Sequence, residues 1–209
     1  MYDLQEQEQI DALKAWWREN RRALVLAVIA AAVVVTGVQA WRYSQHAKAQ
    51  EAAALYAELQ SLVPQNNPKK IGEAAAFIIK KFPSTPYAPR AALIAARADY
   101  EARDLQSAKA QLQWVVDHAD EDDLRDIARL RLAGVLLDEK NYTQALQLLE
   151  AKHNPAYDAF FSDLRGDVLV AQGKPAEARS AYQAALSQID AKSAYRQLIQ
   201  VKLEALGAK

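Results

Sequence analysis

The sequence predicts an all-α chain in which a single N-terminal transmembrane helix precedes an α-solenoid of antiparallel helix pairs. Three observations carry that prediction. Ala23 to Ala40 is an eighteen-residue run without a charge, which at ~1.5 Å per residue reaches ~27 Å, close to the ~30 Å hydrocarbon core of a bilayer. The chain is rich in Ala and Leu, holds only 6 glycines in 209 residues and shows no strand-like alternation, so helices are expected throughout. Beyond the apolar run, a small residue followed four positions later by a large apolar one recurs at nearly constant intervals, the mark of stacked helical repeats.

Residues 1–20 carry Leu4, Ile10, Leu13 and Trp17 among charges, a weakly amphipathic pattern that predicts a short helix at the cytoplasmic interface, with a frayed polar tail as the alternative. The run that follows has the flanks of a membrane span. Arg18, Arg21 and Arg22 precede it, and Trp16, Trp17, Trp41 and Tyr43 bracket it, where snorkelling cations and interfacial aromatics are favoured. The central helix of a large soluble core has no use for such flanks. Lys14, Arg18, Arg21 and Arg22 stand before the span against Arg42 and Lys48 after it, so the positive-inside rule keeps residues 1–22 cytoplasmic, makes residues 23–41 the anchor and places residues 42–209 across the membrane. In a bacterial inner membrane that side is the periplasm. Val38-Gln39-Ala40 also offers a small-residue cleavage site, but the leader carries Asp3, Glu6, Glu8, Asp11 and Glu19, unlike a short basic n-region, so the anchor is expected to be retained.

After Trp41 neither Pro nor Gly occurs until Pro64, so the first helix is expected to run on as a rigid stalk through Ala52, Leu55, Leu59 and Leu62. Pro64 to Pro68 makes a turn. Lys70 to Phe82 reads as the second helix, with Ile71, Ala74, Ala75, Ile78 and Phe82 on one stripe, and Pro83-Ser84-Thr85-Pro86 ends it. Further helices are expected over Ala88–Ala102, Gln106–His118, Asp122–Asp138, Thr143–Lys152, Tyr157–Gln172, Ala176–Gln188 and Lys192–Leu206, bounded by Asn154-Pro155, Gly173-Lys174-Pro175 and short polar turns.

The repeat lies in the second helix of each pair: Ala74 with Ile78, Ala108 with Leu112, Ala145 with Leu149 and Ala178 with Tyr182. The alanines are 34, 37 and 33 residues apart, close to the ~34-residue period of a tetratricopeptide array. Gly166 through Gly173, Ala178, Tyr182 and Ala185 resembles one such repeat, and Ala133, Leu136, Asn141, Tyr142, Ala145 and Leu149 resembles another. Small residues are needed where the two helices of a repeat cross closely, and a Leu or Tyr fills the adjacent groove. The first pair keeps Ala74, Ile78 and Pro86 but lacks the Gly-aromatic helix before them.

Composition excludes several classes of function. Twenty-six basic against twenty-six acidic residues leave no nucleic-acid footprint. The absence of cysteine removes thiol catalysis, disulfides and Cys-based metal sites. Gly166 to Gly173-Lys174 fails as a phosphate loop, because its glycines are seven apart and Pro175 stands where Ser or Thr would hold magnesium. Asp120 to Asp123 reads as acidic residues favouring a helix start rather than a cation site. His46, His118 and His153 are scattered, without metal-ligand spacing. Neither catalysis nor a cofactor is expected.

The anchor with its Trp16-Trp17-Arg18-Glu19-Asn20 approach, Phe82-Pro83-Ser84-Thr85-Pro86-Tyr87, and Leu164-Arg165-Gly166-Asp167 through Ala185-Leu186 resemble the YfgM family, the ancillary subunits of the SecYEG translocon. The resemblance covers essentially the whole chain. It implies a place at the exit side of the translocon, a membrane-anchored periplasmic PpiD-like chaperone (peptidyl-prolyl isomerase-like) as partner, and exported proteins as clients. An adaptor in cell-wall or outer-membrane assembly is the alternative of a different class. The residues themselves predict an anchored scaffold whose stacked pairs form a concave surface for a peptide or partner helix. First helices line that surface in a tetratricopeptide array, and the register from Ala108, Ala145 and Ala178 places Arg90, Arg97, Tyr100, Leu130, Leu137, Phe160 and Asp163 on or near it. Tyr100 and Phe160 are the strongest candidates, because aromatic side chains give large contact area at low entropic cost.

Overall fold

The computed structural model describes residues 2–207 and, within them, the side chains of all but residues 2–9, 12, 13 and 24. The expected contributions of Leu4 and Leu13 therefore lie outside the described residues. The described residues form α1 (Tyr2–Leu62), α2 (Pro68–Lys81), α3 (Tyr87–Glu101), α4 (Leu105–His118), α5 (Asp122–Asp138), α6 (Tyr142–Leu149), α7 (Asp158–Ala171), α8 (Pro175–Gln188) and α9 (Ala194–Ala205). They divide into two compact units, Met1–Lys48 and Ala49–Lys209.

In the first unit the N-terminal segment is part of α1 rather than a separate short helix. Val25, Leu26, Val28, Ile29, Val33, Val34, Val35 and Val38 are each at least 46% exposed, and at 100° per residue they point in every direction around the axis. A helix apolar all round, on which nothing packs among the described residues, is suited to lipid rather than to a soluble core. Thr36 Oγ1 donates to the Ala32 carbonyl at 2.8 Å, so this hydroxyl is satisfied inside its own helix. Trp16, Trp17, Trp41 and Tyr43 are exposed at the two ends of the run. The segment fits a membrane anchor.

In the second unit the last turns of α1 pair with α2. Leu59 packs with Ile71, Ala75 and Ile78 of α2 and with Ala91, Ala95 and Ala98 of α3, supported by Leu55, Tyr56 and Leu62. The central core joins α3, α4, α5, α6 and α7 through Ala92, Ala96, Leu112, Val115, Leu132, Ala133, Ala145 and Phe161. A third cluster, around Leu169, Ala178, Tyr182, Ala185 and Ile199, closes the C-terminal end. Every alanine of the repeat except Ala74 is fully buried, and Ala74 is partly buried against the α1–α2 core.

The turn inside each pair contains one left-handed residue: Asn66 at φ 49°, Arg103 at 66°, Lys140 at 61° and Gly173 at 76°. At the last three the chain closes in the same way, with Asp104 N–H donating to Asp99 O at 2.9 Å, Asn141 to Leu136 at 2.8 Å and Lys174 to Leu169 at 2.9 Å. This is the Schellman pattern, for which glycine is the unstrained choice. Only the turn after α7 has it.

Most boundaries fall within two residues of the expected ones, and α5 spans Asp122–Asp138 as expected. The main difference is α6, which ends at Leu149 rather than Lys152. Asp126, 1% exposed, accepts the Asn154 backbone N–H at 2.9 Å, and Arg129 donates to the Lys152 carbonyl at 3.1 Å. These bonds draw residues 150–154 out of helical geometry. Pro155–Tyr157 then forms a 3₁₀ turn before α7, capped by the Asn154 side chain. The final helix starts at Ala194, where Ser193 supplies the cap, rather than at Lys192.

Candidate partner-binding face

Close approach of α7 and α8 sets the frame. A Cβ built on Gly166 would lie 2.5 Å from Cδ1 of Tyr182, so only glycine lets the ring sit there. Ala178, fully buried, packs in the same cluster as Tyr182, as the repeat pattern requires.

The residues expected on the concave face divide into two groups. The first lies between α3 and α5. Arg90 forms a two-pronged pair with Glu121 at 2.7 and 2.8 Å; this bond holds the Arg90 pKa above its ordinary value and the Glu121 carboxyl below its own. Arg90 thus ties α3 to the start of α5. Arg97 is far more open, its side chain 73% exposed and bonded to Glu101 one turn on at 2.7 Å. Tyr100 is 37% exposed and donates to Asp138 Oδ2 at 2.6 Å, a bond that raises its pKa. Leu130 and Leu137 are half-buried and pack against the central core.

The second group lies between α7 and α9. Phe160, 37% exposed, stands 5.1 Å from Tyr195 and 6.5 Å from Tyr157 between ring centroids. Asp163 is not on an open face. It is 1% exposed, and its Oδ2 accepts from Tyr195 Oη at 2.6 Å and from Lys202 Nζ at 2.7 Å. Lys202 also reaches Asp167 at 2.8 Å, and Tyr182 Oη donates to Asp167 at 2.7 Å. Burial draws the Lys202 ammonium down, but its bonds to the two aspartates outweigh that and the net shift is upward. Burial first, then these carboxylates, push both tyrosines well above their ordinary value. Asp163 is corrected from a surface contact to the centre of a buried network that fastens α9 to α7 and α8.

Sequence reasoning missed Arg131 and the Tyr195–Lys202 half of that network. Surrounding protein, and then the positive charge of Arg97, hold the Arg131 pKa below its ordinary value. A signal for Arg131 was present, since it lies one helical turn before Gly134, the residue 37 positions after Arg97 and hence its equivalent in the next repeat. None was present for Lys202, 39 positions from Asp163 and outside the repeat register.

Arg97 and Tyr100 on α3 and Phe160 on α7 are exposed residues of first helices, of types that give a protein partner hydrogen-bonding and aromatic contact. The remaining candidates pack or pair within the fold.

The family described as tetratricopeptide repeat-like domain matches residues 14–208. The ancillary SecYEG translocon subunit of Neisseria gonorrhoeae is 30% identical over 207 residues, covering 97% of this chain and 98% of that one. Its counterpart in Aggregatibacter actinomycetemcomitans is 31% identical, with 98% and 99% covered, and that of Escherichia coli K12 is 29% identical, with 96% of each covered. Among solved structures, a MamA RS-1 ArsTM double mutant shares the fold at a TM-score of 0.54 and 19% identity, over 75% of this chain and 88% of that one. An anchor-like apolar helix, four helix pairs in tetratricopeptide register and end-to-end similarity to these relatives lead to one assignment: the chain belongs to the family of ancillary SecYEG translocon subunits.

Proposed function

We propose that this protein is a non-enzymatic, single-pass scaffold of the bacterial inner membrane that associates with the SecYEG translocon and binds a periplasmic partner through its helix pairs. The observation that carries this reading is end-to-end similarity to relatives named for that complex. The anchor, residues 23–41, contacts lipid. Residues 1–22 stay cytoplasmic and residues 42–209 are periplasmic, because four cations precede the span and two follow it. Arg97, Tyr100 and Phe160, over Leu130 and Leu137, receive a membrane-anchored PpiD-like chaperone, and the assembly handles newly exported clients.

Crosslinking in whole cells tests the association. SecY among the adducts is the expected result, whereas cell-wall enzymes without SecY would assign the protein to envelope assembly. Protease added to spheroplasts should digest the C-terminal unit. Full protection would reverse the orientation.

A further inference from the structure

Two arginines on neighbouring first helices meet different fates. Arg90 of α3 is closed by Glu121 in a two-pronged pair, the arrangement in which a guanidinium gains most from a carboxylate. Arg131 of α5 is exposed and, among the described residues, forms no ion pair; the charge that acts on it is the positive one of Arg97. Glu101 takes only the Nε of Arg97, so the two terminal nitrogens of that guanidinium are also unbonded among the described residues. Ile127, Arg131, Gly134 and Asp138 follow one another at intervals of four, three and four and share one face of α5. Gly134 opens that face. A Cβ built there would meet nothing within 4 Å, and the repeat sets Gly134 level with Arg97 and one turn beyond Arg131. At the far end of the stripe Asp138 is engaged by Tyr100, which ties α3 to α5 and bounds the open space.

We propose that Arg97 and Arg131 together receive the carboxylate of an Asp or Glu side chain on the protein partner, in the space over Gly134 between α3 and α5. The proposal rests on the reading of this face as a partner surface and names the chemistry of the contact. Charge selects the ligand. Glu101 offsets one of the two guanidinium charges, and Asp138 lies seven residues from Arg131, or ~10.5 Å along the helix, beyond a Debye length of ~8 Å. One positive charge is left over, which a single carboxylate balances. Surrounding protein and Arg97 both disfavour the charged form of Arg131, a cost that water does not remove and that an anion between the two groups does. Planar forks of N–H donors match the two oxygens of a carboxylate, and arginine is among the residues that dominate protein contacts. A doubly charged phosphate would exceed the surplus.

The test uses the full-length protein in nanodiscs of zwitterionic lipid and fluorescence anisotropy of a fluorescein-labelled peptide of Ser and Leu around two central Glu residues. Saturable binding is expected. It should weaken about tenfold or more when Gln replaces both Glu residues of the peptide, and equally in Arg131→Met, which keeps the aliphatic stem and removes the charge. The melting transition of Arg131→Met should stay in place or rise, because the repulsion from Arg97 is gone; a fall would make Arg131 a structural residue and overturn the proposal. No saturable binding by the wild type, or equal binding of the Glu and Gln peptides, would overturn it too. Displacement of the peptide by inorganic phosphate but not by acetate at equal concentration would reassign the pair to phosphate. If the peptide fails to bind while the combined Arg97→Glu, Tyr100→Ala and Phe160→Ala variant still loses the chaperone from membranes, the partner face stands and its carboxylate chemistry is wrong.

Discussion

Asp126 in α5 and Asp163 in α7 are equally buried, at 1% exposure each, yet they do different work. Asp126 holds backbone: it accepts from Asn154 N–H where α6 has stopped early, and from Arg129 at 2.9 Å. Asp163 holds an element, receiving Tyr195 and Lys202 from α9. Each sits where the regular array fails, one beside a truncated helix and the other beside a helix with no partner of its own pair. Where repeat packing runs out, a buried carboxylate with hydrogen-bonding partners replaces it.

The two sites should therefore fail differently. Asp163→Ala leaves the Lys202 ammonium with Asp167 alone, and we expect a loss at the lower end of ~3–5 kcal/mol, because the Lys202 side chain is 24% exposed. Hydrogen exchange should show α9 losing protection while α3 and α4 keep theirs. Asp126→Ala removes neutral and charged hydrogen bonds from a loop and should cost ~1–3 kcal/mol, with the extra exchange confined to residues 150–157. Loss of α9 protection in Asp126→Ala would erase the distinction.

Packing of the regular pair gives a smaller effect. Ala178→Leu should overpack the α7–α8 crossing and cost ~1–3 kcal/mol, with Ala178→Ser far milder; an unchanged melting transition would mean that the crossing lies elsewhere. Alkali sharpens the contrast from the other side. Tyr182, Tyr195 and Lys202 all bind their protons more tightly in the folded chain than their ordinary values of 10.0, 10.0 and 10.5. Their stabilisation is fully present below pH 10 and declines as pH rises towards the folded values. Absorbance at the tyrosinate band should show Tyr182 and Tyr195 ionising last, and Tyr195→Phe should remove one of these two late steps. The smallest effect is a gain: Lys140→Gly relieves a left-handed residue in the turn before α6 and should add ~1 kcal/mol.

Much of this fold was legible because its signals are periodic. Ala108, Ala145 and Ala178 mark the crossings, and the acidic start at Asp122 with its apolar stripe placed α5 correctly. The short α6 was not legible, because residues 150–152 are acceptable in a helix and the bonds that unwind them come from α5. Nothing in the sequence singled out Asp126, and the register put Asp163 on or near the concave face, since period locates a side chain on a face but not whether another helix covers that face. The candidate partner face was legible in Tyr100, Phe160 and Arg97, whose exposure follows from the register. Arg90 lay in the same register but is tied up by Glu121, a residue in the turn before the next pair.

The proposed partner face is tested most directly by copurification from membranes with Arg97→Glu, Tyr100→Ala and Phe160→Ala combined in the full-length chain. The account predicts that the periplasmic chaperone is lost from the preparation while SecY crosslinking, helicity and the melting transition persist. Undiminished recovery of the chaperone would contradict it and move the contact to the anchor or to the side of the array formed by the second helices.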